Sequence, residues 1–289
     1  MERDILTSIK DGRPGFSKGQ KAIADYILRN YDKVAFMTAS RLGEKVGVSE
    51  STVVRFASEL GYEGYPEMRQ TLQEMIKHRL TSVQRIEVAR DTMSGSDILS
   101  TVFHADIHKL RSTLENINRE DFDKAVSAIL AAKRIYIVAL RSSSALGSLM
   151  GYYFNLIFDD VKQILSVSTS EMFEQMMRVA PGDVVIGISF PRYSTQTIRA
   201  LRYSRDMGAK VLCITDGEMS PLTKYVDIAL FAKSDMLSFV DSLVAPLSLI
   251  NALIVSVGTL HSEDISKTFE KLEHIWDEYS VYDKTEEQH

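Results

Sequence analysis

Between residues 134 and 232 five short apolar runs recur: RIYIVAL (134–140), VKQIL (161–165), DVVIGIS (183–189), KVLCIT (210–215) and DIALFA (227–232). This alternation constrains the fold more than any other feature. A strand that is hydrophobic along its whole length must be covered on both faces, and a helical segment between strands supplies the crossover that parallel pairing needs. The intervening stretches read as helices: EDFDKAVSAILAA ahead of the first strand, then 143–158, 170–180, 195–208 stopped by Gly208, and a short one near 220–225. The expectation is an α/β domain with a five-stranded parallel sheet in a three-layer, flavodoxin-like arrangement.

Ahead of that region the texture is helical. Ser17 stands where an N-cap is expected for SKGQKAIADYILRN, and Ile23, Tyr26 and Ile27 fall on one face. MTASRLGEKVG and VSESTVVRFASELG follow, then YPEMRQTLQEMIKHRL with Pro66 in its first turn, where a missing N–H costs nothing. The pattern weakens over 81–97, where RDTMSGSD reads as a linker, and 96–117 reads as one long helix capped by Ser96 or Asp97. The chain therefore divides into an all-α domain (1–80), a linker and connecting helix (81–118), the α/β domain (119–262) and an acidic C-terminal tail or helix (263–289).

Within the all-α part, SRLGEKVGVSESTVVRFASELG (40–61) has the spacing of a helix-turn-helix. Gly43 permits close approach of the two helices, Gly47 supplies the turn, and Val46, Val48, Val53 and Phe56 fill the seam. Ser49 caps the second helix. With Val53 and Phe56 inward, Ser51, Thr52 and Arg55 share the outward face. Short hydroxyls near a helix start, with an Arg one turn later, suit a helix entering a major groove. Ser49, Ser51, Thr52 and Arg55 are thus candidate contacts to a double-stranded DNA operator. A helical bundle used for protein contacts is the alternative. Residues 1–90 carry 15 Lys+Arg against 12 Asp+Glu and the remainder 19 against 27, so any polyanion is met by the front.

In open parallel sheets ligands sit beyond the carboxyl ends of the strands. Two such ends are rich in hydroxyls: ALRSSSALG after the first strand and ISFPRYSTQT after the third. They offer Ser142, Ser143, Ser144, Ser189, Ser194 and Thr195 beside helix N-termini, whose first N–H groups have no partners of their own. Arg141 and Arg192 add guanidinium forks. This is a cradle for an anion, although Pro191 withholds one amide. Hydroxyls and arginines bind and orient but do not readily take protons, so no enzyme is expected and no catalytic residue is assigned. A sugar-phosphate isomerase with an accessory helical domain is the alternative, with Glu171 or Asp241 as carboxylates that the fold brings near. No G-x-G-x-x-G follows the first strand, and no cofactor is expected.

A front motif ending in GVSESTVVRFASELGYEGYPEMR, joined to this sheet with these loops, resembles the RpiR-type transcriptional regulators. Their back half is a sugar isomerase (SIS) domain, and the likeness runs from about residue 5 to about residue 260. The resemblance implies an SIS-like sheet and a regulator of carbohydrate metabolism whose effector is an anionic sugar derivative, a phosphosugar or sugar acid. In that family the third-strand loop usually reads Ser-x-Ser-Gly-x-Thr. Here Ser189 is kept, Pro191 stands at the second Ser, Arg192 at the Gly and Ser194 at the Thr. The first loop usually reads Gly-x-Gly-x-Ser, and Ala139 and Arg141 stand at its glycines while Ser143 matches. Ser143, Ser189 and Ser194 carry over as ligand contacts. The two arginines admit three readings: they bind a more strongly anionic ligand, they fill the pocket and leave a ligand-free dimeriser, or they pair with local acids.

SLVAPLSLINALIVSVGTL (242–260) carries no charge, but Pro246, Asn251, Gly258 and its serines favour a core or interface helix over a membrane span. One reading head buries too little for specific recognition, so a homodimer or homotetramer is expected, with this helix in or beside the contact. Cys213 is the only cysteine and residues 1–20 lack the apolar run of a secretory signal, which points to a cytoplasmic protein without a membrane partner. His104 and His108 flank Asp106 without a third ligand nearby, so no metal is assigned. Trp276 reads as a packing residue of the tail helix.

Overall fold

The computed structural model describes residues 5–76, 81–93, 97–165 and 168–282. The chain forms two compact units, Met1–Thr101 with Met236–Val240, and Val102–Asp235 with Asp241–His289.

The helices of the first unit are α1 (Ile5–Gly12), α2 (Lys18–Val34), α3 (Ala39–Val46), α4 (Glu50–Glu59), α5 (Tyr65–Ile76) and α6 (Ser82–Met93). Ser17 starts α2 through a reciprocal box: its Oγ accepts the Gln20 amide while the Gln20 side chain accepts the Ser17 amide. Ile23, Ile27, Leu42, Val53, Phe56, Met68 and Leu72 form one solvent-free core, and α1, which the sequence reading did not identify, closes it with Ile5 and Ile9. Tyr65 ties α5 to the α2–α3 corner by donating to the Val34 and Met37 carbonyls at 3.3 and 3.1 Å. At the α3–α4 turn Gly47 ends α3 at φ 73°. A Cβ on Gly43 would lie 2.7 Å from the Val48 carbonyl oxygen, so only glycine permits this approach.

Helix α6 runs through most of the stretch where the sequence pattern weakens, and it takes in residues 90–93, the first half of the RDTMSGSD segment that reads as a linker. Thr81 and Gln84 form a second capping box, with the Gln84 side chain accepting the Thr81 amide at 2.9 Å and Thr81 Oγ1 accepting the Gln84 amide at 3.3 Å. Satisfied first-turn amides start a helix even where the apolar period is weak. Ser96 lies outside the described residues. Asp97 accepts the Ser100 amide at 3.3 Å at the start of α7 (Ile98–Asn116), which carries the chain into the second unit.

There the elements are α8 (Arg119–Leu130), β1 (Ile135–Ala139), α9 (Ser144–Ile157), β2 (Val161–Ile164), α10 (Thr169–Met176), β3 (Val184–Ile188), α11 (Thr195–Asp206), β4 (Lys210–Thr215), β5 (Ile228–Phe231), α12 (Val244–Leu260) and α13 (Ser262–Glu278). The strands pair in parallel in the order β2-β1-β3-β4-β5. Alternate strand residues feed two cores. Ile135, Ile137, Val184, Ile186 and Ile214 meet α8, α9 and α12 on one face, while Tyr136, Val138, Val185, Val211 and Cys213 meet α10 and α11 on the other. The expected three layers are present. Helix α12 buries Leu249, Ile250, Leu253 and Val257 in the first of these cores. Among the described residues no helix is long and apolar enough to cross a membrane. The short helix expected near 220–225 is a single 3-10 turn, Thr223–Tyr225. Burial pushes the Cys213 thiol up to about 12, which keeps it protonated and inert. Trp276 packs edge-on against Phe269 and Tyr282 within the tail.

The contact at Gly43 generates a prediction for the first unit. Gly43→Ala should destabilise it by about 1–3 kcal/mol, because the clash is with backbone. Gly15→Ala, where a Cβ meets nothing within 4 Å, should be close to neutral. Urea midpoints compare the two, and equal midpoints would contradict the packing described.

Candidate functional site

The strand order puts the topological switch point between β1 and β3. The chain leaves β1 toward one face through α9 and β3 toward the other through α11, and open parallel sheets take ligands at such a divergence. Ala139 pairs with Ile188, so the loop 140–144 lies beside the loop 189–195. Both hydroxyl-rich loops of the sequence reading therefore share one edge of the sheet.

The first loop is a 3-10 turn, Arg141–Ser143, running into α9. Ser143 is buried, Ser142 and Arg141 are exposed, and Ser144 Oγ donates to the Arg141 carbonyl at 2.6 Å. In the second loop two serines already act as acceptors. Ser189 Oγ accepts the Ser194 amide at 3.1 Å, and Ser194 Oγ caps α11 by accepting the Thr197 amide at 3.3 Å. Each hydroxyl keeps a proton to donate, and the Thr195 and Gln196 amides belong to the first turn, ahead of the helix's own ladder. Thr197 Oγ1, fully buried at this helix end, has no hydrogen-bond partner among the described residues. The site is thus rich in donors.

Arg192 is exposed, between buried Phe190 and half-buried Tyr193. Tyr193 donates its hydroxyl to Asp216 Oδ1 at 2.6 Å, just beyond β4, and Thr215 Oγ1 lies 3.2 Å from the same oxygen. Burial first, and then the Asp216 charge, hold the Tyr193 hydroxyl far above its ordinary range, so it remains a donor. The sequence reading missed this pair. Its only signal was a Thr-Asp-Gly following the fourth strand. Glu171, weighed as a base, instead completes a capping box with Ser168, whose amide and hydroxyl hold its carboxyl below the usual range.

In the first unit Ser49 caps α4, accepting the Thr52 amide at 3.3 Å. Its hydroxyl also meets those of Ser51 and Thr52 at 2.9 and 2.8 Å. Ser51 and Arg55 face solvent. Thr52 does so only in part, since it is half-buried beside Gly19 of α2. Exposed Val54 and Ser58 complete a stripe with Ser51 and Arg55 at helical spacing, and the sequence reading did not single them out.

Residues 3–79 match the helix-turn-helix domain of the rpiR family, and residues 128–256 match the SIS domain. The chain belongs to the RpiR-type transcriptional regulators. An uncharacterized HTH-type transcriptional regulator from Clostridium perfringens is 24% identical over 227 residues, covering 78% of this chain and 80% of its own. One from Caldanaerobacter subterraneus is 22% identical over 271 residues, covering 92% and 95%. The fold is shared with the sugar isomerase domain of the RpiR transcription factor from Sphaerobacter thermophilus, at TM-score 0.60 and 23% identity over 62% of this chain and 99% of that one. It is also shared with Vibrio vulnificus NanR complexed with ManNAc-6P, at TM-score 0.58 and 23% identity over 95% and 98%.

Set against the RpiR-type loop pattern, two departures have a physical reading. Arg141 has φ 60°, a left-handed conformation that costs an L-residue about 1–2 kcal/mol and glycine little. Ala139, at the other glycine position, fits because its Cβ occupies the space that a Cβ on Gly147 of α9 would need, only 2.6 Å away. Arg141→Gly should therefore stabilise the fold by up to about 1 kcal/mol, the relief being partly offset by a looser unfolded chain. It should also weaken oxyanion binding. Thermal denaturation with and without a sugar phosphate separates the two effects, and a loss of stability would contradict the strain.

Proposed function

We propose that the chain is a DNA-binding regulator of carbohydrate metabolism whose SIS domain senses an anionic sugar derivative, a phosphosugar or sugar acid, in the crevice between β1 and β3. The observation that carries this reading is the donor-rich edge at the switch point: hydroxyls that already accept a backbone amide and keep a proton to donate, first-turn amides of α11, and a guanidinium in each loop. Ser142, Ser143, Ser144, Ser189, Ser194 and Thr195 are its proposed contacts, with Arg141 and Arg192 supplying charge. NanR, similar over nearly the whole chain, is complexed with ManNAc-6P, which supports a phosphosugar as the class. The engagement of Glu171 in a helix cap supports a sensor over the isomerase alternative.

The proposed DNA contacts are Ser49, Ser51, Thr52 and Arg55 on α4, with Val54 and Ser58 on the same stripe. Paired heads on a twofold dimer read two half-sites about 34–36 Å apart. An apolar groove of about 770 Å³ bordered by α7, α8 and α12, with Leu114 and Val255 each about two-thirds exposed, supports placing α12 in or beside the subunit contact. We place the regulator in the cytoplasm. An effector that favours one arrangement of the heads by about 1–3 kcal/mol changes operator affinity 5- to 150-fold.

The DNA arm is tested on the operator. Arg55→Ala should cost about 1–3 kcal/mol there and less on random duplex, measured at fixed salt. Equal losses on both would make Arg55 a phosphate contact, and unchanged binding to both would remove Arg55 from the interface. Sedimentation showing only monomer at micromolar concentration would contradict the dimer.

A further inference from the structure

The loop that carries Arg192 is held from two sides. At its base, Ser189 Oγ accepts the Ser194 amide at 3.1 Å. Across its far side, Tyr193 reaches the next strand end and donates to Asp216 Oδ1 at 2.6 Å. Ile188 pairs with Ile214 and the Ser189 amide donates to the Ile214 carbonyl, so Asp216 stands one strand over from the crevice. Asp216 is braced in turn. Thr215 Oγ1 lies 3.2 Å from the same carboxylate oxygen and 2.8 Å from Oγ of buried Ser220.

This arrangement has two consequences for an anion at the neighbouring strand ends. A carboxylate one strand away repels it through a weakly screening interior, unless local donors take up the charge. The Tyr193 hydroxyl does so at 2.6 Å, and it stays protonated because its phenol is buried beside a negative charge. The second consequence concerns Arg192 directly. Its neighbours are fixed, Phe190 by burial and Tyr193 by Asp216, so less loop ordering remains to oppose binding.

We propose that Tyr193 is a positioning residue for oxyanion recognition: its hydrogen bond to Asp216 pins the β3–α11 loop, fixes the backbone from which Arg192 reaches, and engages the Asp216 charge. The ligand chemistry is an oxyanion borne on a sugar, either a phosphate ester or a carboxylate. The inference rests on the effector reading above, and it names a residue for which the RpiR-type loop pattern specifies nothing.

The test uses the full chain as wild type, Tyr193→Phe, Arg192→Ala, the double variant and Asp216→Asn. Each is titrated calorimetrically with glucose 6-phosphate, gluconate and inorganic phosphate, and amide exchange is followed over residues 189–197. Tyr193→Phe should bind the wild type's best probe about tenfold more weakly. In the Arg192→Ala background it should cost markedly less, because most of its effect runs through Arg192 and only the relief of the Asp216 charge remains. Asp216→Asn, which keeps a carbonyl acceptor for the tyrosine, should retain affinity. Exchange over the loop should quicken in Tyr193→Phe. Preference for glucose 6-phosphate or for gluconate identifies the oxyanion. Unchanged affinity in Tyr193→Phe overturns the proposal, as does the same fold loss with and without Arg192, which is the mark of a merely structural role. If the wild type binds none of the three probes while loop exchange still responds to Tyr193→Phe, the staple exists but the effector reading fails and takes the proposal with it. Should Tyr193→Phe fail to fold, Asp216→Ala removes the same bond from the other side and is compared in the same way.

Discussion

Because β1 pairs in parallel with β3 while the chain leaves the two strands toward opposite faces, the sheet cannot cover its own carboxyl edge at that point. The two cores follow from the same pairing, since alternate residues of β1 and β3 face α8, α9 and α12 or α10 and α11. So does the chemistry of the edge. Helices α9 and α11 begin there, and their first amides and the capping hydroxyls of Ser189 and Ser194 are set by the backbone that ends the strands. The topology thus gathers unpartnered helix amides and hydroxyls at one edge, the arrangement on which the proposed anion site rests. Arg141 and Arg192 stand there in place of small residues, one of them at the cost of a left-handed backbone.

The first unit depends on a comparably local constraint. The close approach of Gly43 to the Val48 carbonyl sets how α3 meets α4, and with Val53 and Phe56 sealed inside, Ser51 and Arg55 lie on the exposed side of α4. For a metabolite to control DNA binding, it must favour one state of the protein by a finite free energy, and any such preference acts in both directions.

The sheet, its parallel sense and the helix-turn-helix were legible in the sequence because each is written in a repeating pattern: apolar runs for strands buried on both faces, and a glycine-punctuated seam for α3 and α4. What escaped was written in single bonds. Thr81 and Gln84 start a helix whose apolar period is too weak to announce it. Thr52 sits where helical spacing alone points outward, yet the proximity of Gly19 on α2 draws it half inside. The left-handed Arg141 cannot be inferred from an arginine, which ordinarily avoids that region. Tyr193 and Asp216 lie 23 residues apart and meet only because β3 and β4 pair in a particular register. Periodicity reports what repeats, and a site is assembled from contacts that do not.

The account stands most directly on the linkage between the two units. Operator affinity should be measured with and without saturating sugar phosphate or sugar acid, and the affinity for that ligand with and without operator, on one preparation at one salt concentration. The account predicts that a ligand is found, that it changes operator affinity by a factor between about 5 and 150, and that the operator changes the ligand's affinity by the same factor. A ligand that binds the crevice and leaves operator affinity unchanged, or the absence of binding by any such ligand, would contradict it.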